Sequence, residues 1–459
     1  MLELTKKAAD FASAIRFSAI PERCVEAARV GIADCVGVMI AGASEEAVRI
    51  VASMVPDYTG KDAVPAVPGG RRLCAPDAAL VNGVAAHVLD YDDVALAGHP
   101  SAALVPAVLA EGWALGRSGA DVVAAYVAGY EIWALLEALE PGLLHERGFH
   151  PTAVLGTIAA SAACARLQGL DAEKTAHAIA IGASMASGLV ANFGTMTKSY
   201  HAGRAAQSGA LAARLAKQGF TGSTDVLEHR TGFMLAHSPS SSPRLGADDI
   251  TLGVHWRLLD SGINVKRYPT CYATHRSIDA MIDLVRGHDL KPAAVKEIRV
   301  RTGRTQKLML RNSSPKTGLE AKFSMEFALS SALVARRVGL SELTDAFVRR
   351  PDVAANFAKV SCTVTDESMA EFPGLAPDDR VSVMLTNGEV IEQEPVAFAK
   401  GSWQRQLTRE ELEEKFLDCA TRSLDRDHAA QLFAQLWSIA KLPSLRDLAL
   451  TQKRELAKK

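Results

Sequence analysis

The chain has 459 residues, more than one hydrophobic core usually holds, so two domains are expected. Its 51 Lys and Arg balance 52 Asp and Glu, which excludes the strongly basic surface of a protein that binds nucleic acid or an anionic membrane. The seven cysteines are scattered without a C-x-x-C pair. They predict free thiols in a reducing compartment, not a disulfide framework or an iron–sulfur cluster.

The N-terminal part, residues 1–264, is rich in Ala, Leu and Val, with small residues at helical spacing and glycines at the turns. This pattern predicts a compact helical domain. The first helix, within MLELTKKAADFASAI, lacks the apolar core and cleavage site of a secretory signal. Apolar runs are broken by charge before they reach membrane-spanning length, so we expect a cytoplasmic protein with no membrane partner.

The pattern changes after residue 265. Strand-like alternation occupies residues 295–302 and 360–365, and Asn387-Gly388 separates two further strand-like runs, which is a strong hairpin signal. Helical runs lie between them, at residues 273–286 and 323–336. Thr408 and Glu411 then form a capping box that opens C-terminal helices. We therefore predict a mainly α protein. Its large all-helical domain spans residues 1–264, an inserted smaller α+β lid domain spans 265–400, and helices 401–459 return to the first domain.

The first candidate site residues follow a predicted helix at residues 78–89. The run Asp90-Tyr-Asp-Asp93 lies at its carboxyl end, where the helix dipole disfavours carboxylates, so other groups must hold them there. His99 stands next, directly before Pro100, and proline favours the first position of a helix. This pattern therefore predicts that the His99 side chain lies at the start of a helix.

A second cluster repeats this arrangement. His150-Pro-Thr152 precedes the helical run 153–167, so a second histidine lies at a helix start. Free backbone N–H groups at helix starts bind carboxylate or phosphate groups readily. We hypothesise that the two helix starts converge on one anionic ligand.

Two further clusters contain cations. Lys198-Ser-Tyr-His-Ala-Gly-Arg204 lies where a loop enters a helix, and Lys266-Arg-Tyr-Pro-Thr-Cys-Tyr-Ala-Thr-His275 opens the α+β domain. We expect the latter to face the helical domain across a cleft, a common place for ligands. Removing a proton next to a carboxylate needs a base, together with cations that stabilise the developing charge. The clusters supply both.

Simpler structural interpretations remain open for each residue. His99 and His150 can be caps or packed surface groups, and His87 lies in apolar surroundings typical of a core. Cys271 is more often an inert small hydrophobe, and His275 can be structural. The Asp90–Asp93 run with His99 could also bind a transition metal, although we favour a site without metal.

Several motifs, taken in order, resemble those of the MmgE/PrpD family, whose members include 2-methylcitrate dehydratase, cis-aconitate decarboxylase and iminodisuccinate epimerase. The resemblance covers nearly the whole chain. The matching segments are Asp90-Tyr-Asp-Asp93 with Gly98-His-Pro-Ser101, Gly148-Phe-His-Pro-Thr152, Gly194-Thr-Met-Thr-Lys-Ser-Tyr-His201, Lys266-Arg-Tyr-Pro269 with Cys271-Tyr-Ala-Thr-His275, and Pro315-Lys-Thr-Gly-Leu-Glu-Ala-Lys-Phe-Ser324.

The resemblance implies a homodimer that acts on a small polycarboxylate without metal or organic cofactor. By position it implies Lys198 and His150 as acid and base, with His99 as a partner of a carboxylate or leaving group. Asp90 would orient a neighbour. The remaining residues implied near the substrate are Lys266, Arg267, Cys271, His275, Tyr200 and Arg204.

Three positions bear on which family reaction is expected. Cys271 stands where the decarboxylase has a histidine, and the region near Met309 is aliphatic where that enzyme is aromatic, so decarboxylation is the least favoured. His145 stands where epimerase-like members carry tyrosine, and it could supply a second base on the opposite face of a carbon. We favour a hydro-lyase that resembles 2-methylcitrate dehydratase, with an epimerase as the alternative.

Overall fold

The computed structural model describes residues 3–139, 143–237, 251–369 and 375–450. The chain is mainly helical, as predicted. Contacts within the chain divide it into two compact units, a helical unit of Met1–Asn264 with Thr408–Lys459 and a mixed unit of Val265–Leu407. The role of the mixed unit as a lid remains a prediction.

The helical unit is built from helices of very different length. In chain order its helices are α1 Leu4–Ala14, α2 Glu22–Gly42, α3 Glu46–Ser53, α4 Ala75–His87, α5 Pro100–Leu115, α6 Gly119–Leu139, α7 Leu143–Glu146, α8 Pro151–Gln168, α9 Ala172–Met185, α10 Met196–Lys217, α11 Phe233–His237 and α12 Arg257–Ser261, with the later helices α19 Arg409–Ala420 and α20 Arg426–Trp437.

The mixed unit combines short helices with one sheet. Its helices are α13 His275–Gly287, α14 Arg304–Met309, α15 Gly318–Ala321, α16 Met325–Ala335, α17 Asp345–Val348 and α18 Pro351–Ala354. Its strands are β3 Val295–Gly303, β4 Val360–Thr365, β5 Arg380–Leu385 and β6 Val390–Glu392, in the spatial order β4-β3-β5-β6. Strands β3 and β4 are parallel and the other two pairs are antiparallel. The three strand regions predicted from the sequence are therefore confirmed.

The tight packing of the helical unit depends on small residues where helices cross. A Cβ on Gly83 of α4 would lie 2.6 Å from the Cα of Gly203 of α10, so the two backbones touch directly. A Cβ on Gly156 of α8 would lie 2.8 Å from the Cβ of Ala103 of α5. Because bulkier side chains would overlap backbone or core atoms there, these small residues fix the close approach of α4, α5, α8 and α10.

Helix α6 is long and apolar enough to cross a membrane by length and composition alone. However, 89% of its most apolar 18-residue window is buried inside the protein. Tyr126, Tyr130 and Trp133 are all fully buried along it. A helix that is apolar on every side and enclosed by other helices has the character of a core helix.

The expectation that the first domain is all-helical is wrong in one detail. Strands β1 Val64–Pro65 and β2 Arg72–Leu73 form a short antiparallel pair. Gly69 and Gly70 between them have φ angles of 126° and 104°. Glycine adopts such angles without the steric cost that a Cβ brings, so this segment turns back on itself and pairs.

Candidate active site

Helices α4 and α10 run antiparallel, which places the carboxyl end of α4 beside the start of α10. At one end, the side-chain amide of Gln207 donates to Asp77 Oδ1 over 3.0 Å. At the other, Lys198 Nζ donates to Asp90 Oδ1 over 2.7 Å. The contact between Gly83 and Gly203 lies between these two pairs. Close helix packing therefore brings residues 108 positions apart in the chain into a hydrogen-bonded ion pair.

Asp90 and His99 meet at this ion pair. Asp90 has a φ of 52°, a left-handed conformation that Asp tolerates better than most residues. The His99 Nε2 atom lies 3.8 Å from Asp90 Oδ1. Side-chain exposure is 24% for Asp90, 19% for Lys198 and 13% for His99, so each remains accessible to a small ligand.

The starts of α5 and α8 lie side by side, as hypothesised. His99 and His150 are the N-cap residues, each followed by proline at the first helical position. The backbone N–H of His99 donates to Thr152 Oγ1 over 3.1 Å, and that of His150 donates to the Gly188 carbonyl over 3.0 Å. Because both backbone donors are already used within the protein, the imidazoles rather than these amides are the groups that a ligand can engage.

Four imidazoles form a connected group, the histidine cluster, consisting of His87, His99, His150 and His201. The ring centroids of His87 lie 4.4 Å from His99 and 5.9 Å from His150. The Nδ1 atoms of His150 and His201 are 3.1 Å apart, so one of them donates a hydrogen bond to the other. The cluster lies beside Lys198 and the two carboxylates Asp90 and Asp92.

Burial keeps most of the histidine cluster uncharged. Burial lowers the pKa of His87 to about 4, even though the nearby Asp92 carboxylate opposes the change. Burial and then the charge of His87 lower the pKa of His150 far below its usual range. Burial and Lys198 also lower the pKa of His201. These three rings are therefore neutral near pH 7.

Asp92 and Asp93 are adjacent and both fully buried, yet they ionise differently. Burial alone would raise the pKa of Asp92, but attraction to His87 and His99 and hydrogen bonds from both rings hold it well below its usual range. Burial, followed by the charge of Asp92, raises the pKa of Asp93 well above its usual range. The pair therefore carries one negative charge, on Asp92.

Helix α19 contacts the acidic segment Asp90–Asp93 through Lys415. Lys415 Nζ forms an ion pair with the buried Asp34 of α2 and donates to the Tyr91 carbonyl over 2.9 Å. The same ammonium lies 4.0 Å from the centroid of the Tyr91 ring. Residues near the end of the chain therefore hold the backbone of the segment that carries Asp90 and Asp92.

Three other predicted site residues of the helical unit differ in their surroundings. The exposed His145 packs edge-on against Phe193 at 5.7 Å, and His150 packs against the same ring at 4.8 Å. Tyr200 is 40% exposed. Arg204 donates to Gln207 over 2.6 Å, and Gln207 reaches Asp77 near the start of α4, the end opposite Asp90. Arg204 is therefore not joined to the Asp90–Lys198 pair by these contacts.

The remaining predicted site residues lie in the mixed unit. Lys266 is buried and Arg267 half-buried at its beginning. Cys271 and His275 are both buried, and the His275 ring packs against Tyr268 and Tyr272. Cys271 belongs to the hydrophobic core of this unit. The environment of Cys271 and His275 thus agrees with the simpler structural interpretation of both residues.

The donor set of a transition-metal site is also present. His87, Asp90, Asp92 and His99 each offer one ligand atom, and these atoms lie within 4.8 Å of one another. However, Asp92 already accepts hydrogen bonds from both imidazoles, and the Lys198 ammonium lies on Asp90. A metal ion would have to break these contacts and would be repelled by Lys198, so the arrangement fits a hydrogen-bonded site better than a metal centre.

Sequence reasoning did not single out Asp92, His87 or His201 as site residues. Asp92 was available as a member of the acidic run, and His87 lies one helical turn before Asp90 and Tyr91. His201 lies three residues after Lys198 on the same helix, a spacing that places both on one face. Helical spacing from Lys198 could therefore have identified His201, and the acidic run could have identified Asp92.

Comparison with known proteins places these residues in a recognised family. The MmgE/PrpD N-terminal domain matches residues 6–245, and the MmgE/PrpD C-terminal domain matches residues 268–439. Human cis-aconitate decarboxylase is 29% identical over 443 residues, covering 92% of this chain and 89% of that protein. The mouse enzyme is 29% identical over 83% and 78% of the two chains, and that of Aspergillus terreus is 26% identical over 79% of each. The chain therefore belongs to the MmgE/PrpD family.

Proposed function

We propose that this protein is a lyase that transfers a proton at a carbon next to a carboxylate of a small polycarboxylic acid, without a metal ion. The observation that carries the proposal is that His99 and Lys198 both contact the same oxygen of Asp90. An imidazole therefore lies close to an ammonium group that Asp90 keeps in place. A base and a cation so close together suit the formation of an enolate-like charge.

The sequence interpretation gave the acid and base roles to Lys198 and His150, whereas the geometry favours His99 as the base. His99 Nε2 removes the proton, and the Lys198 ammonium stabilises the negative charge that forms on the neighbouring carboxylate. Asp90 keeps Lys198 in place. The neutral, buried His150 serves as a hydrogen-bonding partner of the substrate. Lys266 and Arg267 are proposed to bind substrate carboxylates, as cations suited to that purpose.

Dehydration is the first candidate reaction. In this step the C–H electron pair forms a carbon–carbon double bond while the C–O bond of a β-hydroxyl group breaks. Lys198 gives a proton to the departing hydroxide, which leaves as water, and His99 keeps the proton taken from carbon. The substrate would resemble 2-methylcitrate.

Decarboxylation is the second candidate, because the curated relatives that match this chain carry the name cis-aconitate decarboxylase. There, the C–C bond to one carboxylate breaks, carbon dioxide leaves, and the electron pair that remains on carbon takes a proton from the imidazolium form of His99. Epimerisation is a third, since His145 contacts the same Phe193 ring as His150 and could provide a second base. All three reactions share the proton transfer at carbon.

The test is incubation of chelator-treated protein with di- and tricarboxylates in deuterated water, followed by proton NMR. Loss of water, release of carbon dioxide, or exchange with inversion would identify the dehydratase, decarboxylase or epimerase respectively. Turnover should fall by about 10²-fold or more in Lys198→Ala and His99→Gln. Lys217→Ala, at the far end of α10, and His255→Gln, on the surface, are the matched controls.

Two results would contradict this proposal. One is turnover that survives both Lys198→Ala and His99→Gln. The other is turnover that chelation abolishes and a divalent metal restores, which would instead assign His87, Asp90, Asp92 and His99 as metal ligands.

A further inference from the structure

Asp92 contacts two imidazoles and is completely buried. His87 Nδ1 lies 3.0 Å from both of its carboxylate oxygens, and His99 Nδ1 lies 2.9 Å from Oδ2. Its low pKa keeps it ionised, and an ionised carboxylate only accepts hydrogen bonds. Both Nδ1 atoms must therefore carry a proton to satisfy these contacts.

The second neighbour of His99 leads to the same assignment. His99 Nδ1 also lies 3.0 Å from the backbone carbonyl oxygen of Asp93, another group that only accepts. With acceptors on both sides, a proton on Nδ1 is strongly favoured. In neutral His99 the lone pair then belongs to Nε2, which is the nitrogen that faces Asp90.

We infer that Asp92 is a positioning residue that fixes His99 in the tautomer with hydrogen on Nδ1, so that Nε2 is the basic nitrogen. His87 also holds Asp92, because its Nδ1 proton points at the carboxylate, while its Nε2 has no hydrogen-bond partner among the described residues. This inference rests on the proposed function for its consequence in catalysis, but the tautomer itself is a property of the resting protein.

The position of the Asp92 carboxylate also affects the protonated form of His99. When His99 accepts a proton it becomes an imidazolium, and the adjacent Asp92 carboxylate, which is fully buried, stabilises that charge. Among the described residues, these contacts place five other titratable residues near His99, namely Asp90, Lys198, His87, His150 and Asp93. Asp90 is bound to Lys198, and burial keeps the Asp93 carboxyl protonated.

The first experiment records two-bond nitrogen–proton correlations of protein labelled with ¹⁵N-histidine, with no substrate present. The His99 signals are assigned by their loss in His99→Gln. We expect a protonated Nδ1 and an unprotonated Nε2. A protonated Nε2 in the unaltered protein would overturn the inference, and this result needs neither turnover nor a variant of Asp92.

The second experiment compares Asp92→Asn with Asp93→Asn, a matched control whose amide replaces an acid that is already neutral. Asp92→Asn should change the His99 tautomer and lower kcat by about 10²-fold or more, with KM changing little. Asp93→Asn should keep the tautomer.

The positioning role of Asp92 and the proposed function can be refuted independently of each other. An Asp92→Asn protein that is folded by circular dichroism and keeps the tautomer and rate of the unaltered protein would refute the positioning role, even if polycarboxylates are substrates. Conversely, a fixed His99 tautomer without turnover of any polycarboxylate would refute the proposed function alone. If Asp92→Asn does not fold, the spectrum of the unaltered protein decides the tautomer.

Discussion

At the scale of single residues, the Asp90–Lys198 pair compensates for two unfavourable placements. Asp90 follows the carboxyl end of α4, and Lys198 lies in the first turn of α10, so each opposes the dipole of its own helix. The hydrogen bond between them offsets both costs and leaves Lys198 in one position. An ammonium held in this way can meet a developing charge without reorganising first.

Replacing Asp90 by Asn should separate this positioning role from backbone effects, because Asn also tolerates the left-handed conformation. We expect kcat to fall at least about tenfold, the effect of losing ~1.4 kcal/mol of transition-state stabilisation. KM should change little. Steady-state kinetics of Asp90→Asn beside Asp10→Asn, on the exposed face of α1, provides the measurement. Unchanged kinetics in Asp90→Asn would remove Asp90 from the positioning role.

His87 should make stability depend on pH in a defined window. Its folded pKa of about 4 lies below the value of 6.5 for an exposed histidine, so the unfolded chain binds the proton more readily. Its contribution is therefore complete above pH 6.5 and is lost as pH falls towards 4. Over this range the nearby Asp92 is ionised in the folded protein, and Lys198, His99 and His150 are its other titratable neighbours.

The measurement compares urea unfolding of the unaltered protein with that of His87→Gln at pH 7 and pH 5. Gln keeps a donor for Asp92 but does not titrate. The difference in unfolding free energy between the two proteins should shrink by roughly 2 kcal/mol at the lower pH. A difference that stays constant or grows would mean that His87 is not buried as a neutral ring.

At the scale of helices and strands, the sequence predicts the ends of individual elements but not the contacts that form the site. The capping box of Thr408 and Glu411, the two His-Pro helix starts and the Asn387-Gly388 hairpin all depend on residues a few positions apart. The histidine cluster and the Asp90–Lys198 pair depend instead on how closely helices cross. Spacing along one helix does not give the distance between two helices. That His87 and His201 both lie beside His150 therefore follows only from how the helices pack.

The crossing of α4 and α10 can be tested by adding one methyl group. In Gly203→Ala the new Cβ would overlap the Leu80 carbonyl oxygen and approach Val84, so α10 must move away from α4. We expect a loss of about 1–3 kcal/mol in unfolding free energy and a lower kcat, since the Asp90–Lys198 contact depends on this crossing. Gly287→Ala is the control, because nothing lies within 4 Å of its new Cβ. Equal stability of both variants would contradict the close-packing argument.

At the scale of the whole molecule, buried acids are distributed through both units. Burial raises the pKa of carboxyl groups in each, and these groups are Asp34, Asp93, Glu111, Glu131, Asp279 and Asp379. An acid whose pKa is raised on folding binds its proton more tightly in the folded chain. Such groups therefore oppose the acid sensitivity that the buried histidines create, and the net pH dependence reflects both sets.

Among these buried carboxyl groups, Glu131 is well suited to a test of how a raised pKa affects stability. It lies on the core helix α6 and accepts hydrogen bonds from the backbone N–H groups of Arg257 and Leu258, at the start of α12. Burial raises its pKa from 4.5 to about 7, although these two hydrogen bonds act in the opposite direction. Its contribution to stability is therefore complete below pH 4.5 and is lost as pH rises through 7.

Glu131→Gln keeps an acceptor for these amides and removes the titration. The unfolding free energy of the unaltered protein minus that of the variant should fall by roughly 3 kcal/mol between pH 4.5 and pH 8. Urea unfolding at the two pH values measures it, with Glu45→Gln on the exposed surface as a control that should show no such change. If the difference instead rose with pH, the ionised carboxylate would be the form that the start of α12 stabilises, and its hydrogen bonds would outweigh its burial.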